Sequence, residues 1–387
     1  MNTTPLPVTL LRDYPRKGWE SIDIYANNVA SSLRQYQNNR ITVRDFRAFP
    51  QLAQKIRVWE GNSAKLYRHI INPLSACFLP KSITHIIDHS NSHLLSLFDP
   101  LTTTIAVHDI LSDWYKKTYA SDAYLYDLEP LKNARYIIAV SEYVKTGLVK
   151  NIGVERDRIT VIHPSVEEYF HPLSQTAIRR AKKEMRLPPN YLLYVGSSLL
   201  HKNMSFLIHL AAKILHEYDE FYFIKAGAPF TDEQLQLIQK LGISSRVISL
   251  GFVPHEKLPA IYSGATLYLQ PSITEGFGLP IVEAMSCGAL VVAADTPLFR
   301  ELFNNGAEFM DISDISKSAR HIVQLLRKKT LFSSYKKRAV YAVKRYHPKI
   351  ASEKLAHHYE HIWEEAHKQI RGKSLFSYVR FSFNQIR

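Results

Sequence analysis

Two carboxylates, Glu275 and Glu283, stand eight positions apart in a glycine-containing segment near the middle of the second half of the chain. Carboxylate oxygens accept hydrogen bonds from hydroxyl groups, such as the vicinal hydroxyls of a ribose or a hexose. The spacing predicts Glu283 about one turn inside a helix and Glu275 in the loop before that helix. The two glutamates are therefore candidate ligands for two separate hydroxyl-bearing groups.

The residues between the glutamates predict the start of a short helix over residues 279–287. Pro280 suits the first helical turn, where its missing N–H is no loss, and Gly288 suits the left-handed stop after the helix. Gly276 and Gly278, just before the helix, let a ligand approach the backbone closely. Free N–H groups and the positive end of the helix dipole at this point would hold a diphosphate.

This one stretch thus offers contacts for a ribose, a diphosphate and a sugar in that order. Such an order is the layout of a nucleotide sugar, with Glu283 at the ribose and Glu275 at the sugar. An ordinary turn between a strand and a helix, carrying two surface glutamates, accounts for the same residues and stays open as the alternative.

Both halves of the chain alternate short apolar runs with helix-like segments, which is typical of α/β domains with parallel sheets. The predicted strands are short and bounded by polar or turn residues: 83–88, 103–108 and 136–140 in the first half, and 191–195, 221–226, 247–250, 266–270 and 290–293 in the second. Helices are predicted over residues 22–33, from about Asn203, and over 348–368. Residues 163–187, with prolines and mixed charges, predict a linker. Strands that end at Gly or Ser place polar loops at the carboxyl edge of the sheet, where doubly wound folds bind ligands.

The basic charge of the chain is concentrated at its end. The net charge is +14, and residues 315–387 carry 17 Lys/Arg against 4 Glu, which is +13. Such a patch attracts a phosphate-bearing surface, either nucleic acid or anionic lipid. A solvated helical face explains the same charge equally well.

The cysteines and the apolar runs limit where the protein is expected to work. Cys77 and Cys287 form no paired metal or redox spacing, which favours a reducing, cytoplasmic location. The first ten residues lack the basic start and long apolar core of a secretory signal. Apolar runs such as 289–294 are too short to span a bilayer. We therefore expect a cytoplasmic protein, with a peripheral position at the inner face of the membrane as a further prediction.

Residues 275–288 resemble the E-x7-E signature of retaining glycosyltransferase family 4. Glu-Gly-Phe-Gly-Leu-Pro, the second glutamate and the closing Cys-Gly stand in the family's order. Residues 194–203 resemble the family's Gly-rich loop, and 251–265 resemble the segment beside the nucleotide base. Weaker landmarks lie at 18–21, 104–110, 139–143 and 161–166. The resemblance covers the chain to about His361.

The resemblance implies a GT-B fold, in which two Rossmann-like, doubly wound parallel-sheet domains face a central cleft. The implied boundaries are residues 1–168 for an N-terminal domain on the acceptor side and 169–346 for a C-terminal domain on the nucleotide-sugar side. Residues 347–387 would then be a helix that packs back toward the N-terminal domain, followed by a basic, aromatic tail.

The resemblance also implies roles for single residues of the donor site. Glu275 looks like the carboxylate that grips the sugar hydroxyls, Glu283 like the ribose ligand, and Lys202 like the lysine that neutralises the donor diphosphate. Val253 resembles the residue whose backbone meets the base. Further donor contacts are implied for Gly196, Ser197, Gly276, Phe277, Gly278 and Leu279.

Three residues of the first half match family positions as well. His108 resembles a histidine at a strand end that faces the transferred sugar, and it joins Glu275 and Lys202 as the residues predicted to be catalytic. Asp109, beside it, would contact the acceptor or the donor sugar. Gly18 resembles the glycine loop that closes over the phosphates, although the usual Gly-Gly pair reads Lys-Gly here.

The phosphate site departs from the family pattern at one point. The family supplies a second cation after the glycine of the Gly-rich loop or beside the lysine, and these positions hold Ser197 and His201. The charge of the leaving group would then rest on Lys202, on backbone N–H groups near Ser197 and on the helix after Glu275. His201 is a candidate substitute for the missing cation.

The activity implied is a front-face transfer of a hexose with retention of configuration, as in polysaccharide biosynthesis. The donor would be a GDP- or UDP-linked sugar, and the acceptor a glycan, a lipid-linked glycan or a small molecule. The donor phosphate would help deprotonate the acceptor hydroxyl, without cofactor or metal, and no Asp-x-Asp motif is present. Mannose from GDP-mannose is the first prediction, because residues 87–90 and 108–110 resemble mannosyltransferase-like members.

Two rival functions stay open on the same fold. One is a nucleotide-sugar epimerase, against which the E-x7-E spacing argues. The other is a non-catalytic GT-B scaffold that binds membrane or, less expected, nucleic acid through its basic C-terminus. The intact set of Glu275, Glu283 and Lys202 argues against that scaffold. Residues 357–361 formally match a zinc-protease pattern, but 17 histidines make a chance match the better interpretation.

Overall fold

The computed structural model of the chain describes residues 4–13, 20–48, 66–76, 79–111, 127–328, 330 and 332–383. These residues form two compact units. The first comprises Met1–Ser165 together with Pro348–Arg387, and the second comprises Val166–His347. Gly18 lies outside the described residues, and so do the side chains of residues 370–387.

The strands of the described residues are, in chain order, β1 (Leu6–Arg12), β2 (Ile41–Arg47), β3 (Ile83–Ile86), β4 (Thr103–Val107), β5 (Tyr136–Ala139), β6 (Ile159–Val161), β7 (Asn190–Val195), β8 (Phe221–Ala226), β9 (Val247–Gly251), β10 (Leu267–Gln270), β11 (Val291–Ala294) and β12 (Glu308–Met310). The α-helices are α1 (Glu20–Tyr36), α2 (Asn72–Ala76), α3 (Glu142–Gly147), α4 (Gln175–Glu184), α5 (Met204–Glu217), α6 (Asp232–Lys240), α7 (Leu258–Gly264), α8 (Leu279–Ser286), α9 (Pro297–Phe303), α10 (Ile315–Arg327), α11 (Phe332–Ala342) and α12 (Pro348–Phe383).

The first unit contains a parallel sheet of six strands in the order β2-β1-β3-β4-β5-β6. Its central strands β3, β4 and β5 are buried along their whole length, because a parallel sheet is covered on both faces. Helices α1 and α12 contribute to one core with the sheet, through side chains such as Val29, Leu33, Leu355 and Ile362. This packing fixes the neighbouring carboxyl ends of β3 and β4, which lead to Asp88 and His108.

The second unit contains a parallel sheet of six strands in the order β12-β11-β10-β7-β8-β9. From β7 the chain first adds strands on one side, β8 and β9, and then returns to add β10 to β12 on the other side. The strand order therefore reverses between β7 and β10. In open α/β sheets ligands bind at this reversal, outside the carboxyl ends of the strands. Here those ends are Val195 and Gln270.

The predicted fold class of two doubly wound parallel-sheet domains is confirmed. The predicted strands are present, with ends that differ from the prediction by at most two residues. The linker predicted over residues 163–187 is wrong in part, because it contains α4. Ser174 caps this helix by accepting a hydrogen bond from Ala177 N–H. Ile178 is the buried residue of this helix. Because the apolar face is so short, the sequence shows little helical periodicity.

Candidate active site

Two loops of the second unit meet at the reversal of strand order. One follows β7 and runs from Gly196 to Lys202, and the other follows β10 and leads to α8. Ile273 N–H donates a hydrogen bond of 2.8 Å to the carbonyl of His201. Lys202 Nζ lies 2.5 Å from Glu275 Oε1. The structure thus brings together two of the residues predicted to be catalytic, which come from different strand ends.

Glu275 lies in a largely enclosed, polar environment. Its side chain is 12% exposed and that of Lys202 is 19% exposed. Gln270 Nε2 also lies 3.3 Å from Glu275 Oε1. Burial acts to raise the pKa of Glu275, but the charges of Lys202 and His201 outweigh it, so that the pKa lies below its ordinary value. Glu275 is therefore a carboxylate at neutral pH and can accept hydrogen bonds from sugar hydroxyls.

The helix predicted over residues 279–287 is present as α8. Pro280 occupies its first turn, and Gly278 precedes it with a left-handed φ of +101°. Gly288 follows it with a φ of +72°. Within the described part of the chain, no acceptor is bonded to the N–H group of Leu279. This end of α8 therefore presents a free donor, four residues after Glu275 in the chain.

Glu283 is buried in α8, and both of its carboxylate oxygens are engaged. Tyr262 OH donates to Oε2 at 2.7 Å, and His255 Nε2 lies 3.2 Å from Oε1. Only 4% of Glu283 is exposed. The alternative of two surface glutamates is therefore wrong. A ribose that reached Glu283 would have to share or displace the contact with His255.

His255 and Tyr262 were not predicted as site residues, although both lie in the segment that resembles the base-binding region. Burial acts to lower the pKa of His255, but the hydrogen bond and charge of Glu283 outweigh it, and the pKa lies above its ordinary value. Tyr169 OH lies 2.7 Å from His255 Nδ1. The two nitrogens of His255 thus connect Glu283 to an exposed tyrosine.

The other predicted donor residues lie on these two loops, except for Val253, which lies on the loop after β9. Gly196 and Ser197 follow β7, and Val253 follows β9 and is half-buried. Gly276 and Phe277 precede α8, and the Phe277 ring packs edge-on against Tyr346 at a centroid distance of 5.1 Å. Phe277 therefore supports the loop through its side chain, which leaves its backbone as the part that could contact a donor.

In the first unit, His108 and Asp109 follow β4 and surround His89, a residue that was not predicted as a site residue. The N–H group of His108 donates to His89 Nδ1 at 3.3 Å, and His89 Nε2 lies 3.6 Å from Asp109 Oδ1. The Nε2 of His108 lies 2.7 Å from the carbonyl of Ile87. The repeated Asp-His pairing after β3 and β4 is the signal in the sequence that points to this cluster.

The cluster in the first unit has perturbed protonation. Burial lowers the pKa of His108 below its ordinary value, which favours the neutral imidazole at pH 7. Burial acts to raise the pKa of Asp109, but the hydrogen bond and charge of His89 outweigh it and lower the pKa to about 2. The cluster therefore combines a neutral histidine with a carboxylate at a strand end.

Two further findings concern metals and membranes. In the parts of the chain that are described, no group of three or more His, Cys, Asp or Glu side chains is placed to hold a metal ion. No helix among the described residues combines the length and the apolar character needed to cross a bilayer. Transfer without a metal stays a prediction.

Comparison with known proteins matches most of the second unit to a class of enzymes. Residues 175–345 match the family model described as glycosyl transferases group 1. The O-antigen chain mannosyltransferase RfbU of Salmonella typhimurium is 32% identical over 216 residues, which cover 54% of this chain and 57% of the relative. The O-antigen chain mannosyltransferase B of Escherichia coli is 29% identical over 203 residues, which cover 51% and 53%. The chain thus spans little more than half the length of these curated relatives.

Solved structures share the fold at low sequence identity. Anabaena Alr3699/HepE in complex with UDP and glucose superposes with a TM-score of 0.72 at 18% identity, over 92% of this chain and 99% of that one. Sucrose-phosphate synthase from Thermosynechococcus elongatus gives 0.75 at 17% identity, over 93% and 100%. The protein therefore has the GT-B fold. The part of its second unit that matches the glycosyl transferases group 1 model, residues 175–345, includes the loops of Lys202 and Glu275.

Proposed function

We propose that this protein is a retaining glycosyltransferase that moves a hexose from a nucleotide sugar to a glycan, lipid-linked or small-molecule acceptor. The observation that carries the proposal is the contact between Lys202 and Glu275 at the reversal of strand order, inside a group 1 glycosyltransferase domain. A cation and a carboxylate at this edge provide the two contacts that a sugar diphosphate needs.

In this proposal, different residues of the second unit contact different parts of the donor. Lys202 and the free N–H group at the start of α8 stabilise the negative charge that develops on the departing diphosphate. Glu275 accepts hydrogen bonds from the hydroxyls of the transferred sugar, and Glu283 accepts them from the ribose. Because Tyr262 and His255 hold the Glu283 carboxylate, that carboxylate is positioned before the donor arrives.

The reaction is proposed to proceed on the front face of the sugar, with the donor phosphate as the group that helps deprotonate the acceptor. His108 and Asp109 are proposed to contact the transferred sugar or the acceptor. The neutral state of His108 suits a hydrogen-bond partner of sugar hydroxyls. Assignment to family 4 and to metal-free transfer belongs to the same proposal.

Mannose is the first candidate sugar, because the two relatives named above are O-antigen chain mannosyltransferases. The base stays open between guanine and uracil, since the Anabaena structure contains UDP. An O-antigen glycan or its lipid-linked precursor is the acceptor class that fits those names. A glycan acceptor carried at the membrane surface would also fit the +13 charge of residues 315–387.

The test is a screen of the purified full chain against GDP-mannose, UDP-glucose and related nucleotide sugars, first by thermal shift and then by donor hydrolysis and transfer. We expect one donor to stabilise the protein and to be turned over. Glu275→Gln and Lys202→Met should each abolish transfer without unfolding the protein. Lys317→Met, which breaks the exposed contact with Asp311, is the matched control. Full transfer activity in either site variant would disprove the assignment.

The non-catalytic alternative predicts a different outcome in the same screen. A scaffold that binds membrane through its basic end would turn over none of the donors. It would still sediment with anionic vesicles in a salt-sensitive way, and it would lose this property when residues 372–387 are deleted. An active enzyme can show the same vesicle binding, so turnover is the deciding measurement.

A further inference from the structure

A lysine lies in the interior of the second unit, directly beneath the loop after β7. Lys225 is the fifth residue of β8 and is completely buried. Lysine is almost never fully buried unless its charge is paired, and no carboxylate of the described residues pairs with this one. Its amino group instead donates to two carbonyl oxygens, those of Gly196 at 3.3 Å and of Ala228.

A second buried donor holds the next carbonyl of the same loop. Tyr194 OH donates to the carbonyl of Ser197 at 2.9 Å. Lys225 and Tyr194 therefore hold two consecutive carbonyls, those of Gly196 and Ser197, from the interior side. The amino group of Lys225 also lies 5.8 Å from the centroid of the Tyr194 ring, so that the two donors belong to one cluster.

These two contacts determine which way the N–H groups of the loop point. In a trans peptide the carbonyl and the following N–H point in opposite directions. The N–H groups of Ser197 and Ser198 are therefore directed away from Lys225 and Tyr194. No acceptor in the described residues is bonded to either of them. Consecutive outward N–H groups of this kind are the donors from which backbone anion sites for phosphate are built.

The neighbouring loop leaves this arrangement little room to change. Gly196 N–H donates to the carbonyl of Ala226 at 2.9 Å, and Gly227 N–H donates to that of Gly251 at 2.7 Å. A Cβ on Gly227 would lie only 2.5 Å from the carbonyl oxygen of Gly196. The loops after β7 and β8 thus touch at their backbones, with Lys225 bonded to both.

We propose that Lys225 is a positioning residue for the leaving diphosphate of the donor. Together with Tyr194 it orients the Ser197 and Ser198 N–H groups toward the diphosphate, and its unpaired charge supplies the second positive charge that the sequence lacks beside Lys202. This inference rests on the proposed function, because it assumes that a nucleoside diphosphate binds at this edge of the sheet.

The protonation of Lys225 agrees with such a role. Burial lowers the pKa of Lys225 to about 8, so the amino group is mostly charged at pH 7 and loses its charge in mildly alkaline solution. The titratable groups that face it are Tyr194 and, beyond that ring, Glu275. The pKa of Tyr194 is raised well above its ordinary value by burial, and that of Glu275 is lowered. Neither group titrates near pH 8.

The test compares a nucleoside diphosphate with its nucleoside, as GDP with guanosine and UDP with uridine, by calorimetry on the full chain. In Lys225→Met the affinity for the diphosphate should fall about 10- to 100-fold, as expected for a lost charged hydrogen bond. The affinity for the nucleoside should stay unchanged. Tyr194→Phe keeps the charge of Lys225 and removes the hydrogen bond to the Ser197 carbonyl. This variant should lower the diphosphate affinity about 3- to 10-fold.

Lys182→Met is the matched control. Lys182 also donates to a carbonyl, that of Pro189 at 2.6 Å, and lies over a tyrosine ring, that of Tyr191 at 4.9 Å. It is in the same unit but belongs to α4, near the opposite end of β7. Its substitution should leave the diphosphate affinity unchanged. A loss equal to that of Lys225→Met would overturn the proposal.

A pH profile gives an independent readout. The diphosphate affinity of the unchanged protein should fall between pH 7.5 and 9, in step with loss of the Lys225 charge, and Lys225→Met should show no such fall. If Lys225→Met does not fold, the profile of the unchanged protein and Tyr194→Phe decide the question, and a flat profile overturns the proposal.

An equal loss of nucleoside and diphosphate binding would mean a merely structural role. A chain that binds neither GDP nor UDP would overturn the proposed function, and this inference with it.

Discussion

Lys202 and Glu275, 73 positions apart in the chain, form an ion pair of 2.5 Å at the carboxyl edge of the second sheet. The pair joins the loop after β7 to the loop after β10. The charges of Lys202 and Glu275 therefore neutralise each other across the two loops. A bound sugar diphosphate would give each residue of the pair a new partner. Lys202 would contact the phosphate, and Glu275 would accept hydrogen bonds from the sugar hydroxyls.

The first prediction is that these two residues are coupled in stability. Each single substitution, Lys202→Met or Glu275→Gln, leaves a largely enclosed charge without its partner, whereas the double variant removes both. We expect a coupling free energy of about 1 kcal/mol in a double-mutant cycle of unfolding. The same cycle on the more exposed pair Arg300–Asp295 should give a smaller value, since exposed pairs contribute about 0.5 kcal/mol. Equal coupling in the two cycles would contradict the prediction.

Parts of this site that depend on neighbouring residues could be predicted from the sequence. Pro280 and Gly288 predicted both ends of α8, because the effects of proline and of left-handed glycine are local. The separate roles of Lys202 and Glu275 were implied by family resemblance alone, and their direct contact was not predicted. The engagement of Glu283 by Tyr262 and His255 depends on the position of α7 and of the loop before it, which no local pattern determines.

Lys225 shows why the remainder could not be predicted. In the sequence it is a single charge within an apolar run of six residues, and such a position is usually interpreted as the solvated edge of a strand. Only the pairing of β8 between β7 and β9 shows that it is completely buried. Likewise, α4 was interpreted as a linker, because most of its surface is charged and its apolar face is short.

The second prediction concerns the pH dependence of nucleotide binding through His255. Its pKa lies above the ordinary value, so protonated His255 holds Glu283 most strongly at low pH, and this attraction weakens as the pH rises. Because the ribose is proposed to use the same carboxylate, GDP or UDP should bind more tightly at pH 7.5 than at pH 6. His255→Gln removes the titrating group and should therefore make the difference in affinity between pH 6 and pH 7.5 smaller.

The matched control for this prediction is His347→Gln. His347 is exposed and lies 3.3 Å from the exposed Glu168 in the same unit, so its substitution should leave the pH dependence as it is. The affinity is measured by calorimetry at intervals between pH 5.5 and 7.5. Protonation of the phosphate itself contributes equally to the pH dependence of every variant. If His255→Gln retains the pH dependence of the unchanged protein, the competition with ribose does not occur.

The third prediction concerns the contact between the loops after β7 and β8. Gly227 has a φ of +107°, and a Cβ there would meet the backbone of Gly196. Gly227→Ala should therefore cost about 2–4 kcal/mol in unfolding free energy, from the left-handed backbone and the steric overlap together. It should also weaken binding of GDP or UDP, since it displaces Gly196. Chemical denaturation and calorimetry measure the two effects.

Gly242→Ala separates the steric overlap from the backbone conformation. Gly242 also has a left-handed φ, of +67°, but nothing lies within 4 Å of a Cβ at that position. We expect a loss of about 1 kcal/mol, from the backbone conformation alone, and no change in nucleotide affinity. A Gly227→Ala variant that behaves like Gly242→Ala would show that the two loops can move apart freely.

The fourth prediction concerns two buried histidines that join α12 to the sheet of the first unit. His85 Nδ1 lies 2.7 Å from Tyr359 OH, and His358 Nε2 lies 3.0 Å from Thr104 Oγ1. Burial lowers the pKa of each histidine to about 3. The unfolded chain, with a histidine pKa of about 6.5, therefore binds protons that the folded unit does not. Stability should fall as the pH decreases from about 6.5 toward 3.

The contribution of one of these histidines to the pH dependence of stability can be removed by substitution. His358→Gln keeps a polar partner for Thr104 and takes away one titrating group, so the dependence of unfolding free energy on pH between 6 and 4 should become shallower by about 1.4 kcal/mol per pH unit. His357→Gln, exposed on the same helix, is the control and should leave the slope unchanged. All four tryptophans lie in the chain segments of the first unit, so tryptophan fluorescence during urea unfolding follows that unit. Equal slopes for the two variants would mean that His358 takes up its proton without unfolding.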